Sequence, residues 1–96
     1  MGVSADKIEV IHNAAASRFE ARIDNGIARA DYRITDGTMM LVHTEVPRAV
    51  EGRGIAGRVV RTALEHAKAE GFKVVPVCSF VRAYIRRHPE YQSLLP

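Results

Sequence analysis

Gly52-Arg53-Gly54-Ile55-Ala56-Gly57 stands where an alternating, strand-like sequence gives way to a helical apolar stripe. Glycine enters backbone regions closed to other residues, so this run can turn a tight corner. A corner at the start of a helix leaves backbone N–H groups without intrahelical acceptors, and such groups hold phosphate. The same glycines also suit a chain that needs only a sharp strand-to-helix turn. The corner therefore predicts either a small domain that binds a phosphate-bearing cofactor or a compact domain with a tight turn and no ligand there.

The flanking segments set the order of elements. Residues 7–12 alternate and predict a first strand, and Asn13 to Ala16 reads as a connection. Residues 17–23 predict a second strand, with Phe19, Ala21 and Ile23 on one face and Arg18, Glu20 and Arg22 on the other. Asp24-Asn25-Gly26 is a hairpin corner, since Asn and Gly tolerate positive φ. Residues 27–34 continue as a strand with Ala28, Ala30, Tyr32 and Ile34 facing one way. Asp36-Gly37 turns the chain again, and residues 38–45 form the fourth strand. Neighbours linked by hairpins make an antiparallel meander.

Beyond the corner, residues 53–70 predict a helix with Ile55, Val59, Ala63 and Ala67 as its stripe, flanked by Val60 and Leu64. Arg61 and Glu65 are four apart on its solvent side, and Gly71 ends it. Residues 72–77 are short and β-branched, hence a fifth strand, with Pro76 marking an edge or a distortion. Residues 79–87 predict a second helix that buries Val81, Tyr84 and Ile85, is closed by His88-Pro89, and has Ser79 available as a cap. Tyr91, Leu94 and Leu95 fold the tail back onto the core. The order β-β-β-β-α-β-α is an α+β architecture: a mostly antiparallel sheet, a long helix after strand four, a fifth strand and a C-terminal helix.

The 96 residues suit one domain spanning 1–96 with one modest core, and a chain this small gains from a cofactor or a weak homodimer contact. Charge is uneven. Residues 49–96 hold eight Lys/Arg against four Asp/Glu, whereas residues 1–48 hold six against seven. The basic half contains the glycine corner, which favours an anionic ligand there. No Lys/Arg block, zinc-finger spacing or basic stripe with interleaved aromatics points to nucleic acid. Cys78 is the only cysteine, so no internal disulfide forms, as in a reducing compartment. There is no secretion-signal pattern and no apolar run near the roughly 20 residues needed to cross a bilayer. The expected setting is cytoplasmic, without membrane contact, and the expected metal content is none.

Four blocks carry a family resemblance. They are His43-Thr44-Glu45-Val46-Pro47; Glu51-Gly52-Arg53-Gly54-Ile55-Ala56; Val74-Val75-Pro76-Val77-Cys78-Ser79-Phe80-Val81; and Tyr84-Ile85-Arg86-Arg87-His88-Pro89-Glu90-Tyr91. In this order and spacing the chain resembles the GCN5-related N-acetyltransferase superfamily over roughly residues 8–95. More closely, it resembles the minimal single-domain acetyltransferase-like family. The resemblance implies an acyl-CoA N-acyltransferase-like fold and acetyl-coenzyme A as cofactor, its pyrophosphate cradled by Gly52, Arg53, Gly54, Ile55, Ala56, Gly57 and Arg58. The superfamily's Gln/Arg-x-x-Gly-x-Gly/Ala signature has Glu51 at its first position here, close to where phosphate would lie. The resemblance also implies that the cofactor's pantetheine arm pairs between splayed fourth and fifth strands. The resemblance further implies a minimal family stripped of the larger members' N-terminal helices, which shape the acceptor pocket.

Acetyl transfer to an amine needs a path for the amine proton, a polarised thioester and a proton for the departing thiolate. His43 and Glu45 share a strand face and are candidate bases; each is equally read as a hydrogen-bonded or ion-paired strand residue. Cys78, at a helix entrance, is a candidate nucleophile or a small packing residue. Tyr84 is a candidate acid or a buried stripe residue. Arg82, Arg86 and Arg87 form a basic rim that suits a phosphate, an acidic acceptor or solvent. The leading expectation is transfer of acetyl from acetyl-coenzyme A to an unidentified amine, on a small molecule or a protein, by direct attack. The alternatives are a non-catalytic acyl-coenzyme A binding or regulatory module, and transfer through a covalent Cys78 intermediate.

Overall fold

The computed structural model describes residues 8–23 and 26–96. One five-stranded sheet runs in chain order: β1 (Ile11–Asn13), β2 (Arg18–Ile23), β3 (Gly26–Thr35), β4 (Thr38–Glu45) and β5 (Lys73–Pro76). The first four strands pair antiparallel as the hairpin reading predicts, and β5 joins β4 in parallel. A parallel neighbour requires a crossover, which α1 (Ile55–Glu70) supplies before α2 (Ser79–Arg87) follows β5. The Asp24-Asn25 part of the expected hairpin corner lies outside the described residues, although Ile23 and Gly26 pair beside it.

α1, α2 and the C-terminal tail lie on one face of the sheet. That face carries Phe19, Ala21, Ala28, Ala30, Tyr32, Met39, Leu41 and Val74, all buried. They pack on the α1 stripe of Ile55, Val59, Val60, Ala63, Leu64 and Ala67, and on Val81 and Ile85 of α2. The 3-10 segment Pro89–Leu94 returns Tyr91 and Leu94 to the same core. Tyr91 donates to Glu65 across 2.6 Å, so Glu65 serves the tail; the expected Arg61–Glu65 pair is not among the ion pairs of the described residues.

Alternation places the opposite face in the hands of charged residues, and cross-strand register sorts them. Arg18 faces Asp31, Glu20 faces Arg29, Arg29 faces Glu45 and Asp31 faces His43. Arg18 binds Glu20 at 2.9 Å along its strand, and Arg29 reaches both Asp31 and Glu45 at 3.3 Å. Opposite charges on neighbouring positions stabilise a sheet face much as apolar pairs do.

Several boundaries differ from the sequence reading, each for a local reason. β1 starts at Ile11 and not at residue 7, because the apolar residues Ile8 and Val10 leave the ladder to pack against the core. Ile34 faces as expected but is 42% exposed, beyond the helical cover. Glu20, expected at the surface, is only 1% exposed; it accepts from Asn13 and Arg18 at 3.0 Å each. α1 begins at Ile55 and not at residue 53, since Gly52 (φ 83°) and Gly54 (φ 78°) are both left-handed and hold the corner open. Gly71 ends α1 as predicted, at φ 76° with its N–H on the Ala67 and Lys68 carbonyls. Cys78, not Ser79, occupies the cap position of α2.

Candidate functional site

The Gly52–Gly57 corner forms one wall of a groove of about 430 Å³. Gly52, Gly54, Ile55, Ala56 and Gly57 line it, together with Glu51 and with Val46 and Val50 from the connection out of β4. The opposite wall is α2 and its end: Phe80, Tyr84, Arg87 and His88. The two helices approach closely here, so that a Cβ on Gly57 would make an ordinary contact with the Tyr84 ring at 3.5 Å. Burial pushes the Tyr84 phenol up, against Arg61. The His88 ring stacks on Tyr84 with centroids 4.0 Å apart, and its Nδ1 donates to the Tyr84 carbonyl at 2.9 Å.

Beside the groove, the sheet opens. β4 and β5 pair from Thr38–Lys73 to Leu41–Pro76 and then part. An irregularity on the β3 side sits at the same level: Tyr32 pairs with Leu41 and Asp31 with His43, leaving Val42 as an extra residue of β4. A bulge bends its strand and strengthens its twist, which turns the last residues of β4 away from β5. Cys78 closes the narrow end of this gap. Its N–H donates to the Leu41 carbonyl at 3.0 Å, and its thiol donates to the Thr44 hydroxyl at 3.5 Å. Burial raises the thiol's proton affinity, but once the proton is lost the Thr44 hydroxyl turns to donate to the thiolate, and with the Val81, Phe80 and Thr44 amides this outweighs burial, so the pKa lies below the usual thiol value.

His43 and Glu45 project on the charged face, on the other side of the sheet from Thr44 and the groove. The His43 Nε2–H donates to Glu45 at 3.1 Å. That hydrogen bond, with Arg29 at 3.3 Å, holds the Glu45 carboxyl below the usual carboxylate range. With Nε2 donating to a carboxylate, Nδ1 is the lone-pair nitrogen of the neutral ring.

Three comparisons with known proteins bear on the chain. Residues 18–94 match the family model described as GCN5-related N-acetyl-transferase. The chain belongs to the GCN5-related N-acetyltransferase family. It is 33% identical over 94 residues to the Protein NATD1 of Homo sapiens, covering 91% of this chain and 80% of that one. It is 30% identical over 94 residues to the Protein NATD1 of Xenopus tropicalis, covering 94% and 85%. The NMR structure of a GCN5-like protein from Staphylococcus aureus superposes with a TM-score of 0.71 over 98% of this chain and 91% of that one, at 24% identity, a likeness of fold. Among the described residues, no helix of this GCN5-related chain is long and apolar enough to cross a membrane.

Of the residues the sequence nominates for the cofactor, Gly52, Gly54, Ile55, Ala56 and Gly57 line the groove, while Arg53 and Arg58 do not. Tyr84 joins them from α2. Cys78 lies at the gap, and His43 and Glu45 stand together on the opposite face. Sequence reasoning missed Thr44 as the partner of Cys78 and missed Val46, Val50 and Phe80 as groove residues. Thr44 stands inside the quoted His-Thr-Glu-Val-Pro block, and its alternation away from His43 and Glu45 was the available signal.

Proposed function

We propose that this chain is an acetyl-coenzyme A-dependent N-acetyltransferase in which an amine attacks directly. The observation that carries the reading is the groove at the start of α1, open along one side of a sheet whose fourth and fifth strands part. The family generally transfers acetyl from acetyl-coenzyme A, and the residues present suit that group: left-handed glycines leave the first-turn N–H groups of α1 clear, and apolar Val46, Val50 and Phe80 flank them. Bound there, acetyl-coenzyme A supplies an acyl group activated as a thioester, with a thiol as leaving group.

The chain's own residues then divide the work. The Gly52–Gly57 corner would hold the phosphate oxygens through backbone N–H groups. β4 and β5 stop pairing after Leu41–Pro76, and in this reading the acetyl group would reach the charged face where they part. There His43 takes the proton of the incoming amine at Nδ1, directly or through water, while Glu45 fixes the ring through Nε2 and stabilises the imidazolium. Tyr84 keeps its proton because burial pushes its phenol up, and holds it for the departing thiolate. The acceptor is an amine on a small molecule or a protein.

A second reading has one observation in its favour, the depressed Cys78 thiol. Here the Cys78 thiolate would take the acetyl group, the coenzyme leaving as its thiolate, and the amine would then displace Cys78 to receive it. Single-turnover mass spectrometry with a responding acceptor separates the two. Direct attack leaves no adduct on the path, and Cys78→Ala keeps much of its rate. A gain of about 42 Da on Cys78 that rises and decays as fast as product appears would replace direct attack with the two-step route. Release of free coenzyme A, screened against polyamines, peptides and small amines, tests the activity itself. Binding without transfer to any acceptor would leave a cofactor-binding module.

A further inference from the structure

The groove carries charge of both signs, and a residue outside the glycine corner decides the balance. Its favourable side for an anion is the first turn of α1. Against that stand Glu51, exposed and without an ion pair among the described residues, and the last turn of α2, whose carbonyl end is negative. The corner's own arginines do not line the groove, and the Arg58 Nε is buried without a hydrogen-bond partner.

The three arginines of α2 are separated by the fold. The Arg82 guanidinium donates to the carbonyls of Pro76 (3.1 Å) and Val77 (2.6 Å), clamping the turn out of β5. Arg86 lines a different depression, of about 220 Å³, with Pro76, Ile85 and Gln92. Arg87 alone among them lines the groove, exposed and with no ion pair among the described residues. It offers a planar fork of donors on the wall facing the α1 N-terminus.

We infer that Arg87 is the cation that holds the pyrophosphate of the bound coenzyme against the start of α1, in a groove whose corner itself presents the acidic Glu51. This rests on the acetyl-coenzyme A reading of the groove. The phosphates are gripped from two helices, by backbone N–H groups on one wall and by a side chain on the other. Arg87 also offsets the repulsion of Glu51 and of the α2 carbonyl end.

Calorimetry with coenzyme A and with 3′-dephospho-coenzyme A tests the inference on the wild-type chain, Arg87→Gln, Arg87→Lys and Arg86→Gln at two salt concentrations. Arg87→Gln is expected to weaken both ligands by about tenfold, the size of one charge-assisted hydrogen bond, and to flatten the salt dependence. Arg87→Lys keeps the charge without the fork and falls between the two. Arg86→Gln stays within about twofold of wild type, as a solvated charge should. Unchanged affinity in Arg87→Gln overturns the inference. So does a loss confined to coenzyme A, which would place Arg87 on the 3′-phosphate, or an equal loss in Arg86→Gln, which would reduce the effect to net charge. Wild-type protein that binds neither ligand refutes the cofactor reading and this inference with it. Wild-type binding with an indifferent Arg87→Gln refutes the inference alone. Thermal unfolding without ligand checks that each variant is folded.

Discussion

The Cys78 thiol reaches the Thr44 hydroxyl across 3.5 Å, just where β4 and β5 stop pairing. The contact ties the end of β4 to the residue that caps α2, beyond the last ladder pair and beside the bond from the Cys78 N–H to the Leu41 carbonyl, and the Thr44 hydroxyl belongs to the set of groups that lowers the thiol pKa against the effect of burial. Thr44→Val removes the hydroxyl and leaves the backbone donors. The pH at which Cys78 becomes reactive toward iodoacetamide is then expected to move upward, and Thr44→Ser is expected to restore it. An unmoved profile would show that the hydroxyl does not act on the thiol.

Glu20 predicts an acid limb in the stability curve. The hydrogen bond from Asn13 lowers its carboxyl below the ordinary 4.5; burial opposes the change and Arg18 adds to it. A carboxyl with a depressed folded-state pKa contributes stability in full above its unfolded pKa and loses it as pH falls through the depressed value. Glu20→Gln should cost about 1–2 kcal/mol at pH 7, since Arg18 loses its partner but keeps access to water. The cost should shrink below pH 4. Urea unfolding of both proteins across that range measures it, and a cost independent of pH would contradict the assignment.

Two glycines of the corner should behave differently from the third. Gly52 holds φ at 83°, so Gly52→Ala costs about 1–2 kcal/mol in strain although a Cβ there meets no atom within 4 Å. Gly57 is helical, and its Cβ would make an ordinary contact with Tyr84. Gly57→Ala is therefore expected to raise stability by up to about 1 kcal/mol through helix propensity. The same methyl enters the groove, so coenzyme A affinity should fall as the melting temperature rises. Thermal melts paired with calorimetry would detect a joint change in one direction, the result that counts against this view.

Tyr91 anchors the tail. Burial first, then Glu65, pushes its phenol up to about 12. A phenol with a raised folded-state pKa stabilises the fold in full below its unfolded value near 10 and loses that contribution as pH rises toward 12. Alkaline ultraviolet titration should show one tyrosine ionising last, and Tyr91→Phe should remove it at a cost of about 1 kcal/mol. Its persistence in the variant would assign the late step to another residue.

The elements that were legible in the sequence are those whose signals are local. Alternation in residues 17–23 and 38–45, glycine after residue 70 and proline after residue 88 each act within a turn or two, and the strands and helices follow them closely. The resemblance of the quoted blocks supplied the family. What escaped depends on distant neighbours. The extra residue at Val42 has no composition mark, since a bulge is set by how β3 and β4 register. Glu20 looks like any surface glutamate until β1 pairs beside it and brings the Asn13 amide to its carboxylate. Arg53 and Arg58 were natural choices for the groove because they flank its glycines. Which arginine lines it depends on how α2 crosses α1, and that packing brings in a residue some thirty positions away.

The lattice of opposite charges on the outer face limits how this fold can grow. A helical layer laid across β2, β3 and β4 would have to strip water from Arg18, Arg29, Asp31, His43 and Glu45 at once, and desolvating paired charges offsets most of what new apolar contact would add. A bulkier descendant would first need to exchange those side chains for greasy ones, strand by strand, and each exchange made alone would strand a partner. The charged face of these strands is thus itself a barrier to accretion.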